Sequence, residues 1–232
     1  MEQEHKERWI MEAVSVKQLY NLEETIAADL FADIVYPWEV LGKIHDFIIA
    51  LGNSLPEALF EKRGEYIWVA KSAKIAPTAC LNGPLIVDEE AEIRHCAYIR
   101  GSAVVGKGAV VGNSTELKNV VLFNKVQVPH YNYVGDSILG YRAHMGAGSI
   151  TSNVKSDKTP VTVAAGEERM PTGLKKMGAM LGDFVEVGCN SVLNPGVIVG
   201  RNSNIYPTSS VRGFVPADSI FKKDGEIVLK RQ

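Results

Sequence analysis

Three cysteines in 232 residues, Cys80, Cys96 and Cys189, are too few and too scattered for a disulfide framework or a CxxC metal site. A reducing cytoplasm is the compartment expected of such a chain. Aromatic residues make up only 8% of the sequence, so a core must be filled by small and branched side chains, and Val, Ile, Leu and Ala dominate. Neither sign of charge prevails: 25 Lys and Arg stand against 27 Asp and Glu, which argues against a dedicated nucleic-acid binder. No apolar run reaches the roughly 18 residues of a membrane span. The polar opening, residues 1–8, is followed by no apolar stretch of signal-peptide type. What the chain has in quantity is glycine, 21 residues.

Residues 1–62 read as a helical region. Ser15 with Gln18, and Asn21 with Glu24, have the spacing of helix-opening capping boxes. After Leu22, the residues Ile26, Ala27, Leu30 and Phe31 recur at helical spacing, and residues 33–36 break the pattern. Pro37 suits the first turn of a new helix. Its apolar stripe is Val40, Leu41, Ile44, Phe47, Ile48 and Leu51, and Gly52 is its expected stop. The region is expected to be a small cap, with a direct share in ligand binding as the alternative.

Near Tyr66 the grammar changes. An aliphatic or large apolar residue returns every six positions: Val69, Ile75, Leu81, Val87, Ile93, Ile99, Val105, Val111, Leu117, Phe123. A mostly small or branched residue follows each by four. This period fits neither an α-helix nor simple hairpins and marks a repeat architecture. Val134, Leu139 and Met145, each followed by Gly, continue the series with one five-residue step. Leu181, Val187, Leu193, Val199, Ile205 and Val211 then keep strict sixes. Between them, residues 153–178 carry no hexads and include Lys155, Lys158, Lys175 and Lys176; insertions of this kind in solenoids tend to be functional.

Each hexad supplies one short flat strand and a tight corner, and three hexads close a triangular coil. The aliphatic points inward, and glycine permits unusual backbone angles at the corners. Coils stack as parallel strands about 4.8 Å apart. The expected fold is therefore mainly β: a parallel β-helix over 63–217, interrupted at 153–178, after an N-terminal helical region over 1–62. A tail over 218–232 ends in one extra strand, packed on a neighbouring copy.

Two groups of residues carry candidate chemistry on their own. Arg100 and Lys118 are one coil apart, each one position after an inward aliphatic, so they should stack about 4.8 Å apart. Stacked cations suit an anion such as a sugar phosphate, or form a solvated basic strip with Asp136 as partner. His130 follows Pro129 where an aliphatic is expected, just before the register slip. Polar breaks in a repeat are where function collects, and imidazole suits a general base near neutral pH; a plain corner histidine is the other reading.

The hexads resemble the left-handed parallel β-helix of hexapeptide-repeat acyltransferases. The left hand comes from that resemblance, since parallel crossovers are generally right-handed. Pro129-His-Tyr-Asn-Tyr133-Val-Gly-Asp-Ser137, Met145-Gly-Ala-Gly-Ser-Ile-Thr-Ser-Asn153 and Lys175-Lys-Met-Gly-Ala179 are similar to the acetyltransferase half of bifunctional enzymes that make UDP-N-acetylglucosamine. They are closer still to the archaeal sugar-1-phosphate nucleotidyltransferase/acetyltransferase branch. The similarity covers about residues 66–216. No Gly-rich nucleotide-binding start follows a first strand, so the nucleotidyltransferase domain is expected to be missing.

The resemblance implies acetyl transfer from acetyl-CoA to the amino group of a hexosamine 1-phosphate or nucleotide sugar. It implies His130 as general base, Glu116 as the carboxylate orienting it, and Asn153 near the thioester with an amide able to meet a developing oxyanion. Arg100, Lys118, Tyr133 and Lys158, with Lys155 as a substitute for the last, would hold the phosphosugar. Cys189 stands where related enzymes carry a cofactor-side serine, His144 where they carry a substrate-binding asparagine, and Val154 where they carry a tyrosine. A homotrimer with sites between subunits is implied, with no nucleic-acid or membrane partner and no metal. A non-catalytic sugar-nucleotide-binding scaffold, or a protein tied to nucleotidyl transfer, are the alternatives. A zinc centre would need His95, His130 and His144 to converge.

Overall fold

The computed structural model describes residues 11–165, 168–222 and 225–231; the polar stretch 1–8 lies outside them. The chain forms a parallel β-helix of about 8 turns, the left-handed hexapeptide-repeat class expected, with a helical region at its start.

Three inward columns fill the prism. The first runs Val69, Val87, Val105, Leu122, Leu139, Leu181, Val199, Val215. The second runs Ile75, Ile93, Val111, Val128, Met145, Val187, Ile205, Phe221. The third runs Leu81, Ile99, Leu117, Val134, Thr151, Leu193, Val211. Apart from Ile75 and Leu81 near the start, these side chains are buried, each Val, Leu or Ile contributing about 1.5–3 kcal/mol.

The six-residue register ends before Phe123. Val105 pairs with Leu122, so the step from Leu117 to Leu122 is five residues and that coil is one residue short. Phe123 therefore leaves the prism and packs outside it, with ring centroids 5.1 Å from Tyr20 and 5.7 Å from Phe31. Val128 is then the inward residue, and His130 occupies an ordinary corner position rather than a break in the stack. The second short step, Val134 to Leu139, falls where the glycines suggest.

From Val87 onward, corners turn through a residue at positive φ, three places after the inward side chain in a six-residue step. Cys96 (φ 56°), Ser114 (φ 53°) and Tyr131 (φ 52°) are examples. In the two short steps the turning residue comes one place earlier, at Asn119 (φ 55°) and Asp136 (φ 49°). Asn and Asp tolerate this region better than most residues.

The outward side of the first face is also apolar: Trp68, Ile86, Val104, Val121, Ile138, Met180 and Ile198 are all buried. The helical region covers it. Helix α1 (Val16–Leu19) leads to two 3-10 turns, Leu22–Glu24 and Ala28–Phe31, then a third with Pro37 at its first position, Pro37–Val40, and helix α2 (Ile44–Ser54). The single helix expected after Leu22 is thus broken. Thr25 is extended (φ −155°), and its hydroxyl accepts from the Ala27 N–H at 3.1 Å, a local bond that competes with helix. Ser15 sits at the N-cap of α1 without a side-chain bond, whereas the Asn21 side chain accepts from the Glu23 N–H at 3.2 Å.

Gly52 does not stop α2, which runs on to Ser54. A Cβ at Gly52 would lie 2.3 Å from the Trp68 ring, so the glycine lets the helix approach the prism.

The insertion is a β-hairpin of Thr162–Ala165 and Glu168–Pro171. Its Thr162 and Ala164 carbonyls lie against Gly196 and Gly213. At the ends of the prism, Phe60–Gly64 pairs antiparallel with Ile67–Ala70, and Ile227–Leu229 pairs antiparallel with Ser219–Phe221. The extra strand is present and pairs with the chain's own last coil, where it covers the free edge of that terminal strand. No described helix is long and apolar enough to cross a membrane.

Candidate active site

The third face carries the polar residues. Leu117 pairs with Ile99, so Lys118 lies beside Arg100, as one-coil spacing predicts. Each cation has its own carboxylate. Arg100 Nη1 donates to Glu116 Oε1 at 2.8 Å. Lys118 Nζ donates to the two oxygens of Asp136 at 2.9 and 3.1 Å. Mutual repulsion is therefore relieved within the chain.

Asp136 is the hub of this face. Only 3% of it is exposed, and besides Lys118 its carboxylate accepts from Asn119 Nδ2 at 2.9 Å and from Asn153 Nδ2. The two short corners bring this about. Asn119 and Asp136 turn successive coils at the same edge, 17 residues apart. Gly178 N–H donates to the Asp136 carbonyl at 2.8 Å, and Met177 N–H to the Asn153 carbonyl at 3.0 Å, so the insertion closes on the same spot.

Tyr133 lies beside Glu116 on the next strand. A Cβ at Gly135 would come 2.5 Å from the Tyr133 hydroxyl oxygen, so the ring folds over the bare glycine and its oxygen accepts from Asn153 Nδ2 at 3.2 Å. Burial, and then the Asp136 and Glu116 carboxylates, push the phenol pKa above its usual 10.0. The hydroxyl stays protonated and can donate. Both Asn153 amide protons are already used, on Tyr133 and Asp136. That geometry suits positioning better than oxyanion binding.

His130 stands on the adjoining corner, exposed. The corner is pinned from inside by buried Asn132, whose side-chain oxygen accepts from the His130 N–H at 3.1 Å. Asn132 Nδ2 donates to the Gly146 and Ser149 carbonyls at 2.9 and 3.0 Å. Glu116 is engaged with Arg100, and no hydrogen bond joins it to His130 among the described residues. One coil below His130 lies Asn113, whose buried Oδ1 has no hydrogen-bond partner. Cys189 is exposed two coils above, on the same edge.

Other expected site residues lie elsewhere. His144 is on the second face, its Nδ1 2.7 Å from Glu186 Oε2, in a cleft of about 340 Å³ with Lys125 and Arg142. Lys158 is exposed in the insertion, and Lys155 donates to Thr159 Oγ1 at 2.6 Å. His95 is bound to Thr78 at 2.6 Å. Asn119, Asn132 and His45 were not among the expected site residues, and Asp136 was expected only as a partner for the basic strip. The signal for Asp136 was the shortened step from Val134 to Leu139; the matching step at Asn119, from Leu117 to Leu122, shows only in the structure. His45 has no sequence signal: it comes from α2, and its Nδ1 lies 3.2 Å from the Ser102 hydroxyl.

Fold and face together define a hexapeptide-repeat solenoid with a polar site on one prism face. A family model described as GMPPB C-terminal domain matches residues 81–168. The chain is 31% identical over 211 residues to the bifunctional protein GlmU of Methanococcus aeolicus, covering 83% of this chain and 49% of that protein. It is 28% identical over 238 residues to the bifunctional sugar-1-phosphate nucleotidylyltransferase/acetyltransferase of Sulfurisphaera tokodaii, covering 91% of this chain and 57% of that one. A hexapeptide transferase family protein from Anaplasma phagocytophilum aligns with a TM-score of 0.38 at 15% identity, over 71% of this chain and 78% of that one. The chain is thus a hexapeptide-repeat protein related to the acetyltransferase part of the GlmU proteins, and it spans about half the length of the curated relatives it matches.

Proposed function

We propose that the chain transfers an acyl group, acetyl by default, from a coenzyme A thioester to the amino group of a hexosamine 1-phosphate or nucleotide sugar. The observation that carries this reading is the stacked pair Arg100 and Lys118 beside Tyr133, with His130 on the corner that leads into the same strand. Arg100 and Lys118 meet the phosphate, Arg with donors left over from its single bond to Glu116. The protonated Tyr133 donates to the sugar. The amine nitrogen attacks the thioester carbonyl carbon, His130 takes the proton released from nitrogen, and the carbon–sulfur bond breaks to free coenzyme A. Asn153 and Asp136 hold Tyr133 and Lys118 in place.

The test is thiol release from acetyl-CoA over a panel of hexosamine phosphates, with wild type and His130→Ala. The variant should lose roughly 10²–10⁴-fold in rate. Equal rates in both proteins would remove His130 from the chemistry. One observation favours a second reading, a non-catalytic sugar-nucleotide-binding scaffold: Glu116 turns to Arg100 and leaves His130 without an orienting carboxylate. Tight binding of such ligands with no turnover on any of them would support it.

A further inference from the structure

The helical region is more than a cover. A cleft of about 440 Å³ opens where it meets the third face, lined by Arg100, Lys118, Ser102 and Asn119 from the prism and by His45 from α2. The carboxylates that pair with the two cations, Glu116 and Asp136, are not among its lining residues. The cleft wall thus presents Arg100 and Lys118, each paired with its carboxylate at 2.8–3.1 Å. His45 is exposed and has a ring nitrogen 3.2 Å from the Ser102 hydroxyl. Its second ring nitrogen has no protein partner among the described residues.

Several contacts hold this wall at a defined distance. Asn119 uses one amide proton on the Leu41 carbonyl at 3.2 Å and the other on Asp136 at 2.9 Å, linking the segment just before α2 to the hub of the site. Ile44 and Ile48, on the same helix as His45, are fully buried against the prism. Gly101 (φ +105°) forms part of the floor, where a Cβ would lie 2.4 Å from the Gly83 carbonyl oxygen.

We infer that His45 is a third ligand for the phosphate of the acceptor, opposite Arg100 and Lys118, so that the helical region completes the acceptor pocket and selects for phosphorylated substrates. This rests on the reading of the Arg100–Lys118 face as the acceptor site, and it adds an element that the prism alone lacks. A short hydrogen bond to a charged phosphate oxygen is among the stronger polar contacts available.

The experiment is calorimetric binding of glucosamine 1-phosphate, inorganic phosphate and unphosphorylated glucosamine to wild type and His45→Ala, with thermal unfolding of both. Binding of the two phosphate-bearing ligands should weaken about tenfold in the variant, with Tm unchanged and any glucosamine binding unchanged. In the turnover assay KM for the phosphorylated acceptor should rise while KM for acetyl-CoA holds. Equal phosphate binding by both proteins would overturn the assignment. So would a loss for all three ligands together with a lower Tm, which would make His45 a dock for α2 through Ser102. Absence of phosphate binding in the wild type would reject the cleft itself. If the chain turns over no amino sugar, calorimetry still decides the role of His45, so the two proposals fail separately.

Discussion

Asp136 decides whether the charged face is an organised site. It is nearly fully buried, yet it meets Lys118, Asn119 and Asn153 at once, and these partners lead on to Tyr133, α2 and the insertion. Burying a carboxylate is tolerable only when its oxygens are filled in this way. Asp136→Asn keeps the shape but replaces one acceptor oxygen by an N–H group facing other donors, and it leaves the Lys118 ammonium without a counter-charge. The expected result is a loss of about 2–4 kcal/mol of stability in denaturant unfolding, with a raised KM for the acceptor. An unchanged midpoint would show that Lys118 and the two asparagines find other partners.

At the scale of elements, the decisive feature is the five-residue step from Leu117 to Leu122. The hexad period made the prism, its inward columns and the stacking of Arg100 on Lys118 legible, because a flat strand alternates in and out and tolerates no ambiguity of face. The short step was not legible. Phe123 is as apolar as Leu122, so a count of hydrophobic residues accepts either as the inward one. What separates them is the aromatic cluster with Tyr20 and Phe31, a long-range contact outside the repeat. The same limit hid His45, which reaches the face only because α2 lies across it. It also misplaced the end of α2: a glycine near a helix end reads as a stop, whereas Gly52 is required by the Trp68 ring. Gly52→Ala puts a methyl group into that ring, so α2 must shift or Trp68 must leave its position. A loss of about 1–3 kcal/mol, typical of overpacking, is expected, read as a lowered Tm. An unshifted Tm would mean that Trp68 can repack at no cost.

At the scale of the whole molecule, the prism has three faces, and the described helices cover the first of them. The third face carries Arg100, Lys118 and Tyr133, and the corner joining it to the second carries His130 with exposed Tyr131 and Cys189. The second face carries His144 and its cleft with Lys125 and Arg142, away from the Arg100 cluster within one chain. A close-packed trimer of prisms would bring the second face of one copy toward the third face of the next, and in that arrangement His144 could reach an acceptor that it cannot reach in the monomer. Light scattering at assay concentration should therefore give three times the chain mass of 25.3 kDa. Subunit mixing tests whether the site is shared. His130→Ala and Arg100→Ala are each expected to be inactive alone. If the base and the phosphate clamp come from different copies, randomly mixed trimers of the two variants regain intact sites at about a quarter of their interfaces, as cyclic symmetry requires. A monomeric mass would contradict the assembly. A trimer whose mixtures stay inactive would place His130 and Arg100 in one site of one chain, and the assembly would then serve to cover the exposed faces of the prism rather than to complete its chemistry.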